Sequence, residues 1–290
     1  MSEPDLTGTT ALVTGANSGI GLPTARELAR RGAHVVVACR DETRGLAAVE
    51  HIRRTAGARA EYARLDLASL ASVHALADRL TDRLDGLDLL VNNAGVGLIA
   101  RRLTEDGFEE QFGTNHLGHF ALTGRLLPLL AARPQARVVT VTSDSHEEGE
   151  IDFDDLAAER KYSRMGAYAR SKLANLLFAQ ELQRRADAAG LDLLSLAAHP
   201  GTTATNIGAL PKPVKKMIGL FLQSADKGAE PTLYAATSPG ARPGGYYGPG
   251  PAPLVPADRA LDKDLARRLW EVSEKLTDVP FPLPYRPGVR

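Results

Sequence analysis

The sequence of 290 residues contains a single cysteine, a single tryptophan and no net charge. One cysteine, Cys39, excludes an internal disulfide bond and is typical of a protein in a reducing compartment. The 35 basic and 35 acidic residues cancel, so nothing in the charge balance indicates nucleic acid or an anionic membrane as a partner. The chain also lacks an apolar run of about 18 residues and a signal-peptide pattern at its N-terminus, which predicts no membrane anchor and a cytoplasmic location.

Short apolar runs alternate along the chain with longer segments of helical periodicity. The runs are continuous rather than interrupted by polar residues, which is typical of strands buried on both faces of a parallel sheet. Helices between such strands give right-handed crossovers. The pattern therefore predicts an α/β fold, a Rossmann-type doubly wound parallel sheet of about seven strands flanked by helices. The runs are Thr9–Thr14, Ala33–Cys39, Ala60–Leu65, Leu87–Val91, Arg137–Thr142 and Leu191–Ala197.

No linker or internal repeat divides the chain, so we predict one domain over residues 1–290. Two segments depart from the alternating pattern. Residues 144–166 are acidic and are predicted to form a solvated surface loop. Residues 238–257 are rich in proline and glycine, which excludes a helix and predicts an irregular cover. A final helix is predicted over about Leu261–Leu276, with Trp270 as a packing residue beside its apolar face.

A glycine-rich loop lies between the first predicted strand and the first predicted helix. In its spacing Gly15-x-x-x-Gly19-x-Gly21, the first glycine permits a tight turn and the second lets the backbone approach a pyrophosphate. The third allows close helix–strand contact, and free N–H groups at the helix start favour phosphates. A tight turn can carry glycines for steric reasons alone, but this position predicts a dinucleotide site. The predicted contacts are Gly15, Asn17, Ser18, Gly19, Ile20 and Gly21.

The end of the second strand indicates which dinucleotide binds. A carboxylate there would hold the ribose 2′-hydroxyl of NAD, but the sequence has Cys39 followed by Arg40. An arginine at a strand end can be merely solvated, yet its guanidinium is well suited to a 2′-phosphate. We therefore predict NADP(H) as the cofactor. Residues after the third and fourth strands are either simple turns or further cofactor contacts, which we predict at Asp66, Leu67, Asn93, Ala94 and Gly95.

Tyr168 and Lys172 are four residues apart in a predicted helix, so their side chains share a face. A cation ~4 Å from a phenol contributes on the order of 4 kcal/mol, which would bring the tyrosine pKa from about 10 to near 7. Such a group is a good acid–base catalyst near neutrality. Alone, the pair is more often a surface contact. Ser143, however, ends the fifth strand on the same sheet edge and can hydrogen-bond a substrate carbonyl.

Asn115 lies inside a long helical segment predicted over residues 105–130. Two explanations fit an asparagine at this position. One is a packing role, and the other is a local distortion of the helix that holds a water near Lys172. Several motifs then stand in the order found in the short-chain dehydrogenase/reductase superfamily, which the chain resembles over about residues 8–205. They are the glycine loop, Asn92-Asn93-Ala94-Gly95, Asn115, Ser143 and Tyr168-x-x-x-Lys172. Others resemble the retinol dehydrogenase and protochlorophyllide reductase branch, namely Ala38-Cys39-Arg40-Asp41, Thr142-Ser143-Asp144-Ser145-His146, Ser171-Lys172-Leu173-Ala174-Asn175 and His199-Pro200-Gly201-Thr202.

The resemblance implies a role for each member of the catalytic set. Tyr168 would be the acid/base, and Ser143 would orient the substrate carbonyl. Lys172 would bind the nicotinamide ribose, and Asn115 would complete a proton relay through water. Tyr168 and Lys172 would also contact the cofactor. The residues near the nicotinamide carboxamide would be Pro200, Gly201 and Thr202.

Further expectations concern the second half of the chain. The nucleotide-binding half is predicted over about residues 8–120, and the catalytic and substrate half over about 121–290. The 25-residue spacing between Ser143 and Tyr168 exceeds that of many relatives, which predicts an insertion beside the substrate mouth. Residues 208–223 resemble the family's substrate lid, although an ordinary surface helix fits equally. The resemblance also implies a homodimer or homotetramer packed through the helices at 105–130 and 167–189.

We predict an enzyme that transfers a hydride between NADP(H) and a carbonyl or alcohol carbon of a partly apolar small molecule, with no metal site. Two alternatives stay open. A sugar-nucleotide epimerase or dehydratase uses a similar tyrosine and lysine, usually with a differently spaced glycine loop. A non-catalytic NADP(H) sensor would bind the cofactor without turnover, although such proteins commonly lose the tyrosine or the lysine.

Overall fold

The computed structural model describes residues 3–57, 59–201, 224–250, 252–281 and 283. Within them, seven parallel strands form one sheet in the order β3-β2-β1-β4-β5-β6-β7. The predicted doubly wound parallel sheet is confirmed. The strands are β1 (Thr10–Thr14), β2 (His34–Cys39), β3 (Ala60–Arg64), β4 (Leu89–Asn92), β5 (Ala136–Val141), β6 (Leu193–Ala198) and β7 (Tyr246–Tyr247).

Helices connect the strands and cover both faces of the sheet. They are α1 (Gly21–Arg30), α2 (Glu42–Ala56), α3 (Leu70–Thr81), α4 (Glu110–Phe112), α5 (Gly118–Ala131), α6 (Arg164–Ala189), α7 (Ala225–Thr237) and α8 (Lys263–Thr277). A π-helical turn, Gly113–Leu117, joins α4 to α5, and short 3₁₀ turns form at Asp144–Glu148 and Asp258–Leu261. None of the helices described here is long and apolar enough to cross a bilayer.

Local sequence explains where the helices begin and end. Asp41 caps α2 by accepting a hydrogen bond from the Arg44 N–H, and Ser163 caps α6 in the same way. Both helices end at a glycine in the left-handed region, Gly57 at φ +62° and Gly190 at φ +69°. These boundary residues hold α6, which carries Tyr168 and Lys172, at a defined position beside the sheet.

The continuous apolar strands are explained by the two cores, one on each face of the sheet. Neighbouring side chains on a strand point to opposite faces. Leu12 therefore lies in the core with Phe120 and Trp270, whereas Val13 lies in the other core with Leu28. Because both faces of the sheet are buried, the strand sequences do not alternate between apolar and polar residues.

The sequence did not locate the seventh strand. Tyr246–Tyr247 lies within residues 238–257, for which an irregular cover was predicted, and it pairs with Ala197 and Ala198 of β6. Two residues are too few to form a recognisable apolar run among prolines and glycines. The predicted helical segment from residue 105 was also wrong at its start, because a turn closed by the Thr104 N–H and the Phe108 carbonyl precedes α4.

α8 covers α5 and α6 within the same chain. Trp270, buried as predicted, packs against Phe120 and Phe178 with ring centroids 5.1 and 5.7 Å apart, and Phe281 joins the cluster. Between residues 167 and 186 no side chain of α6 is exposed. These helices therefore lie largely in the interior of the chain, and the subunit contact through them stays a prediction.

The homodimer or homotetramer implied by the resemblance can be tested at the end of α5. Ala131, at the end of α5, is exposed. We expect Ala131→Arg to leave the light-scattering mass of the purified protein unchanged, because α8 covers α5 and α6 within the same chain. A smaller mass for the variant than for the wild type would contradict the assignment of these helices to the interior.

Candidate functional site

The carboxyl ends of the strands open into a cavity of about 700 Å³. It spans β1 and β4, where the strand order reverses, which is the usual ligand position in such sheets. Most of the residues predicted for the site line it: Gly15, Asn17, Ser18, Gly19, Ile20, Arg40, Asp66, Leu67, Asn93, Ala94, Gly95, Ser143, Tyr168, Lys172, Pro200 and Gly201. Gly21 and Asn115 lie behind its wall. Thr202 and the predicted lid at 208–223 are outside the described residues.

The glycine loop has the backbone that its sequence suggests. Gly15 and Gly19 have φ of +65° and +55°, in the region that favours glycine. A Cβ on Gly21 would lie 2.5 Å from Asn93 Nδ2, so Gly21 serves packing behind the loop. α1 begins without a side-chain cap. No side-chain cap therefore occupies the positive end of this helix, which suits an anionic ligand such as a pyrophosphate.

Asn93 and Ala94 tie the end of β4 to the end of β1. Asn93 Nδ2 donates to the Thr14 carbonyl at 2.7 Å, and both backbone N–H groups donate to Thr14 Oγ1 at 2.9 Å. These hydrogen bonds hold the floor of the cavity rather than extending into it. Asn93 thus contributes backbone and shape to the site more than a free side chain.

The far end of the cavity is lined by two arginines. The Arg40 side chain is 69% exposed, and its Nη1 lies 3.6 Å from Asp66 Oδ2. Arg44, four residues further along and in the first turn of α2, also lines the cavity. Sequence reasoning missed Arg44, although its four-residue spacing from Arg40 was a usable signal. Cys39 beside them is neutral, because burial raises the pKa of its thiol to about 11.

Ser143, Tyr168 and Lys172 meet at the other end. Tyr168 is hydrogen-bonded to Ser143. Lys172 Nζ donates to the Val141 carbonyl at 3.2 Å and lies 5.5 Å from the centre of the Tyr168 ring. Burial lowers the pKa of Lys172 to about 8, so its ammonium is charged at neutral pH. One wall of the cavity therefore presents a hydroxyl, a phenol and a cation together.

The pKa of Tyr168 is raised above its ordinary value, mainly because burial disfavours the phenolate. The Asp144 carboxylate raises it further, and the hydrogen bond with Ser143 lowers it. The sequence predicted a pKa near 7 from the charge of Lys172, and this is wrong for the protein's own residues. Desolvation of the phenolate is the largest cause of the raised pKa. Tyr168 is therefore protonated at neutral pH, which is the form that donates a proton.

Asn115 lies within the π-turn, so the local distortion suggested by the sequence is present. Its Oδ1 accepts from the Val96 N–H at 2.8 Å, while Nδ2 donates to the Val96 carbonyl and to Ser171 Oγ, both at 2.9 Å. The side chain thus joins the loop after β4 to α6. A Cβ on Gly95 would lie 3.2 Å from Asn115 Oδ1 and 3.6 Å from Lys172 Nζ, so glycine keeps this approach open.

His119 is a further member of this region that sequence reasoning missed. Its Nδ1 contacts the Asn115 carbonyl and its Nε2 contacts Thr14 Oγ1, both at 2.9 Å. Burial lowers the pKa of His119 to about 4, so the ring is neutral. Nδ1 must then donate to the carbonyl, and Nε2 accepts from the Thr14 hydroxyl. A lone histidine on an apolar helix gave no functional signal except its four-residue spacing from Asn115.

The acidic segment 144–166 is more than the solvated loop that the sequence predicted. Its acidic side chains are mostly exposed, but its backbone is anchored to α6. Arg170 of α6 forms a buried ion pair with Glu109 at 3.3 Å and donates to the Asp155 carbonyl at 3.2 Å. The Tyr162 hydroxyl donates to the Ile99 carbonyl at 2.9 Å. These contacts fix the segment along the side of the cavity that Tyr168 faces.

The chain resembles known proteins along most of its length. The sequence model described as short chain dehydrogenase matches residues 9–212. Human (Homo sapiens) retinol dehydrogenase 14 is 41% identical, with the match covering 92% of this chain and 85% of that protein. Mouse (Mus musculus) polyprenol dehydrogenase is 46% identical, over 94% of this chain and 85% of that protein.

Solved structures agree with this similarity. An uncharacterized protein from Mycobacterium paratuberculosis superposes with a TM-score of 0.82 at 45% identity, covering 97% of this chain and 98% of the other. A short chain dehydrogenase from Shigella flexneri, complexed with NADP, superposes with a TM-score of 0.70 at 25% identity, covering 85% and 99%.

Proposed function

Because the chain belongs to the short chain dehydrogenase family, we propose that it is an NADP(H)-dependent oxidoreductase acting on a partly apolar alcohol or carbonyl compound. The retinol dehydrogenase branch predicted from the motifs is confirmed. One observation supports the proposal above all others. Tyr168, Ser143 and Lys172 line the same cavity as the glycine loop, so a substrate carbon and a bound dinucleotide would meet beside the phenol.

The residues present fit a dinucleotide with a 2′-phosphate. The uncapped start of α1 and the positive-φ glycines suit a pyrophosphate. Arg40 and Arg44 supply cations at the far end of the cavity, where a carboxylate would be expected for NAD. The NADP complex of the Shigella flexneri relative supports the same choice.

Bound NADP(H) would supply the hydride donor or acceptor. The protein's own residues supply the proton and the orientation. In carbonyl reduction, the Tyr168 hydroxyl donates its proton to the substrate oxygen, while Ser143 lies within reach of the same oxygen. Lys172 is charged at neutral pH and stabilises the phenolate left behind. Asn115 holds the loop after β4 against the helix that carries both groups.

The proposal is tested with purified protein, NADPH and a panel of aldehydes and ketones that includes retinal and a polyprenal. These two correspond to the alcohols named in the relatives. We expect NADPH consumption with apolar aldehydes. Binding of NADPH without turnover of any compound would indicate a sensor instead. Conversion of a sugar nucleotide without net NADPH consumption would indicate an epimerase.

The choice of cofactor has its own test. We expect the double variant Cys39→Asp, Arg40→Ala to shift the ratio of kcat/KM for NADPH and NADH towards NADH by about 10–100-fold, because a charge-assisted hydrogen bond is lost and a 2′-hydroxyl acceptor is gained. Arg54→Ala, an exposed change on α2 away from the cavity, is the matched control and should leave the ratio unchanged. An unchanged ratio in the double variant would exclude Arg40 as the ligand of the 2′-phosphate.

A further inference from the structure

The loop after β4 runs beside the ring of Tyr168 and contains a strained residue. Gly97 lies against the phenol, since a Cβ there would be 2.9 Å from Tyr168 Cδ2. The next residue, Leu98, has φ +57°, in the left-handed region that suits glycine or asparagine and is unfavourable for leucine. Such strain persists only where the surrounding contacts enforce it, and it is concentrated at functional sites. The conformation of Leu98 therefore needs a cause in the residues around it.

Gln111 supplies the contact that holds Leu98. This glutamine of α4 is fully buried, and its Oε1 accepts from the Leu98 N–H at 2.9 Å. Its Nε2 donates to the Tyr162 hydroxyl at 2.9 Å and to the Arg164 carbonyl at 3.2 Å. A backbone N–H only donates and a carbonyl only accepts, so these partners allow one orientation of the amide. Gln111 therefore joins the loop after β4 to the acidic segment and to the start of α6.

The loop is held on both sides of Gly97. Asn115 binds the N–H and the carbonyl of Val96, and Gln111 binds the N–H of Leu98. Both amide side chains come from one segment, α4 and the π-turn that follows it. The backbone of Leu98 is thus fixed relative to Tyr168 by buried hydrogen bonds.

The side chain of Leu98 is not needed for the interior of the protein. Leu98 is partly buried and lines the cavity, and within the described residues it packs into none of the apolar cores. Met165, in the first turn of α6, lines the same cavity and is 45% exposed. It precedes Tyr168 by three residues, which puts both on one face of the helix. Two apolar residues near the phenol can therefore gain from burying apolar surface of a ligand.

Building on the proposed function, we propose that Leu98 is a specificity-determining residue that contacts the apolar part of the substrate, and that Gln111 is the positioning residue that holds it beside Tyr168. The carbonyl carbon of the substrate faces Tyr168, and its carbon chain lies against Leu98 and Met165. Gln111 is not part of the cavity wall. It acts through the backbone of Leu98 and of Arg164.

The first experiment replaces Leu98 by asparagine, which adopts the left-handed region readily and so leaves the loop in place. We expect kcat/KM for octanal to fall by about 10-fold, while kcat/KM for butanal and KM for NADPH stay unchanged, since only the longer chain reaches the apolar wall. Leu103→Asn is the matched control, because Leu103 is exposed in the same connection and lies outside the cavity wall. An unchanged octanal-to-butanal ratio in Leu98→Asn, or an equal fall in Leu103→Asn, overturns the role of Leu98.

The second experiment replaces Gln111 by methionine, which keeps the size of the side chain and removes its hydrogen bonds. We expect the octanal-to-butanal ratio of kcat/KM to fall by about 2–10-fold, and backbone amide exchange in peptides covering residues 96–99 to become faster by a similar factor. Gln183→Met is the matched control. Gln183 is also buried, and its amide accepts from the Ser195 N–H at 2.7 Å and donates to the Leu193 carbonyl at 3.2 Å, away from the cavity.

A purely structural role would lower the stability of both glutamine variants and leave the substrate ratio and the exchange at residues 96–99 as in the wild type. That result overturns the role of Gln111. A wild-type protein that turns over no carbonyl compound overturns the proposed function instead. Calorimetric binding of octanamide and butanamide in the presence of NADPH then decides about Leu98. Tighter binding of octanamide that is lost in Leu98→Asn supports its role, and equal binding of the two amides by the wild type overturns it.

Discussion

Replacing Tyr168 by phenylalanine is expected to lower kcat/KM by about 10²–10⁴-fold in either direction, because the variant has no group to exchange a proton with the substrate oxygen. The reaction rate with NADPH and a carbonyl compound measures this directly. Folding should be unaffected, since only one hydroxyl at the cavity wall is removed. NADPH binding, followed by the fluorescence of the reduced nicotinamide, should also be retained.

Tyr234→Phe is the matched control for this variant. Tyr234 lies on α7 and packs against Tyr247 with ring centroids 5.0 Å apart, away from the cavity. The Tyr234→Phe variant also loses a tyrosine hydroxyl, but away from the site, so its kcat/KM should equal that of the wild type. Wild-type activity in Tyr168→Phe would exclude Tyr168 as the proton donor, whatever the substrate.

Replacing Arg170 by methionine is expected to lower the free energy of unfolding by about 3–5 kcal/mol, because it leaves a buried carboxylate without its partner. The side chains of Arg170 and Glu109 are 7% and 0% exposed. Arg170 also lies over the Phe112 ring, with the guanidinium carbon 5.4 Å from its centre. Urea unfolding of the wild type and the variant measures the difference.

Arg160→Met provides the comparison for a solvent-exposed ion pair. Arg160 contacts Asp152 at 3.2 Å and Asp155 at 3.6 Å, but its own side chain is 64% exposed, so the loss should be far smaller. The double variant Glu109→Met, Arg170→Met should recover only part of the stability. Glu109 also accepts hydrogen bonds from the Gln111 and Phe112 N–H groups at the start of α4. Equal losses in Arg170→Met and Arg160→Met would contradict a stabilising role for the buried pair.

Local signals in the sequence were sufficient for the sheet and for the order of the site motifs. The glycine loop follows the first apolar run directly. Asn93 and Ser143 each follow a later apolar run. Because the carboxyl ends of parallel strands meet at one edge, these residues could be placed together without a structure. The four-residue spacing of Tyr168 and Lys172 needed only the geometry of a helix.

Other features depend on contacts between distant segments. The two-residue strand Tyr246–Tyr247 forms because β6 presents an unpaired edge to it. Its sequence has no apolar run long enough to predict a strand. The cover of α8 over α5 and α6 buries part of both helices within the chain, although each helix looks amphipathic or apolar by itself. The Glu109–Arg170 pair joins residues 61 positions apart, and it anchors a segment that by composition alone resembles a solvated loop.

The sequence by itself determined the class of fold, the family and the chemical groups that meet at the site, because these depend on residue types at fixed local spacings. Only the tertiary structure decided the protonation of Tyr168. Lys172 alone predicted a lowered pKa, but burial of the phenol and the Asp144 carboxylate raise it. Desolvation depends on everything packed around the ring, and no local pattern in the sequence describes that environment.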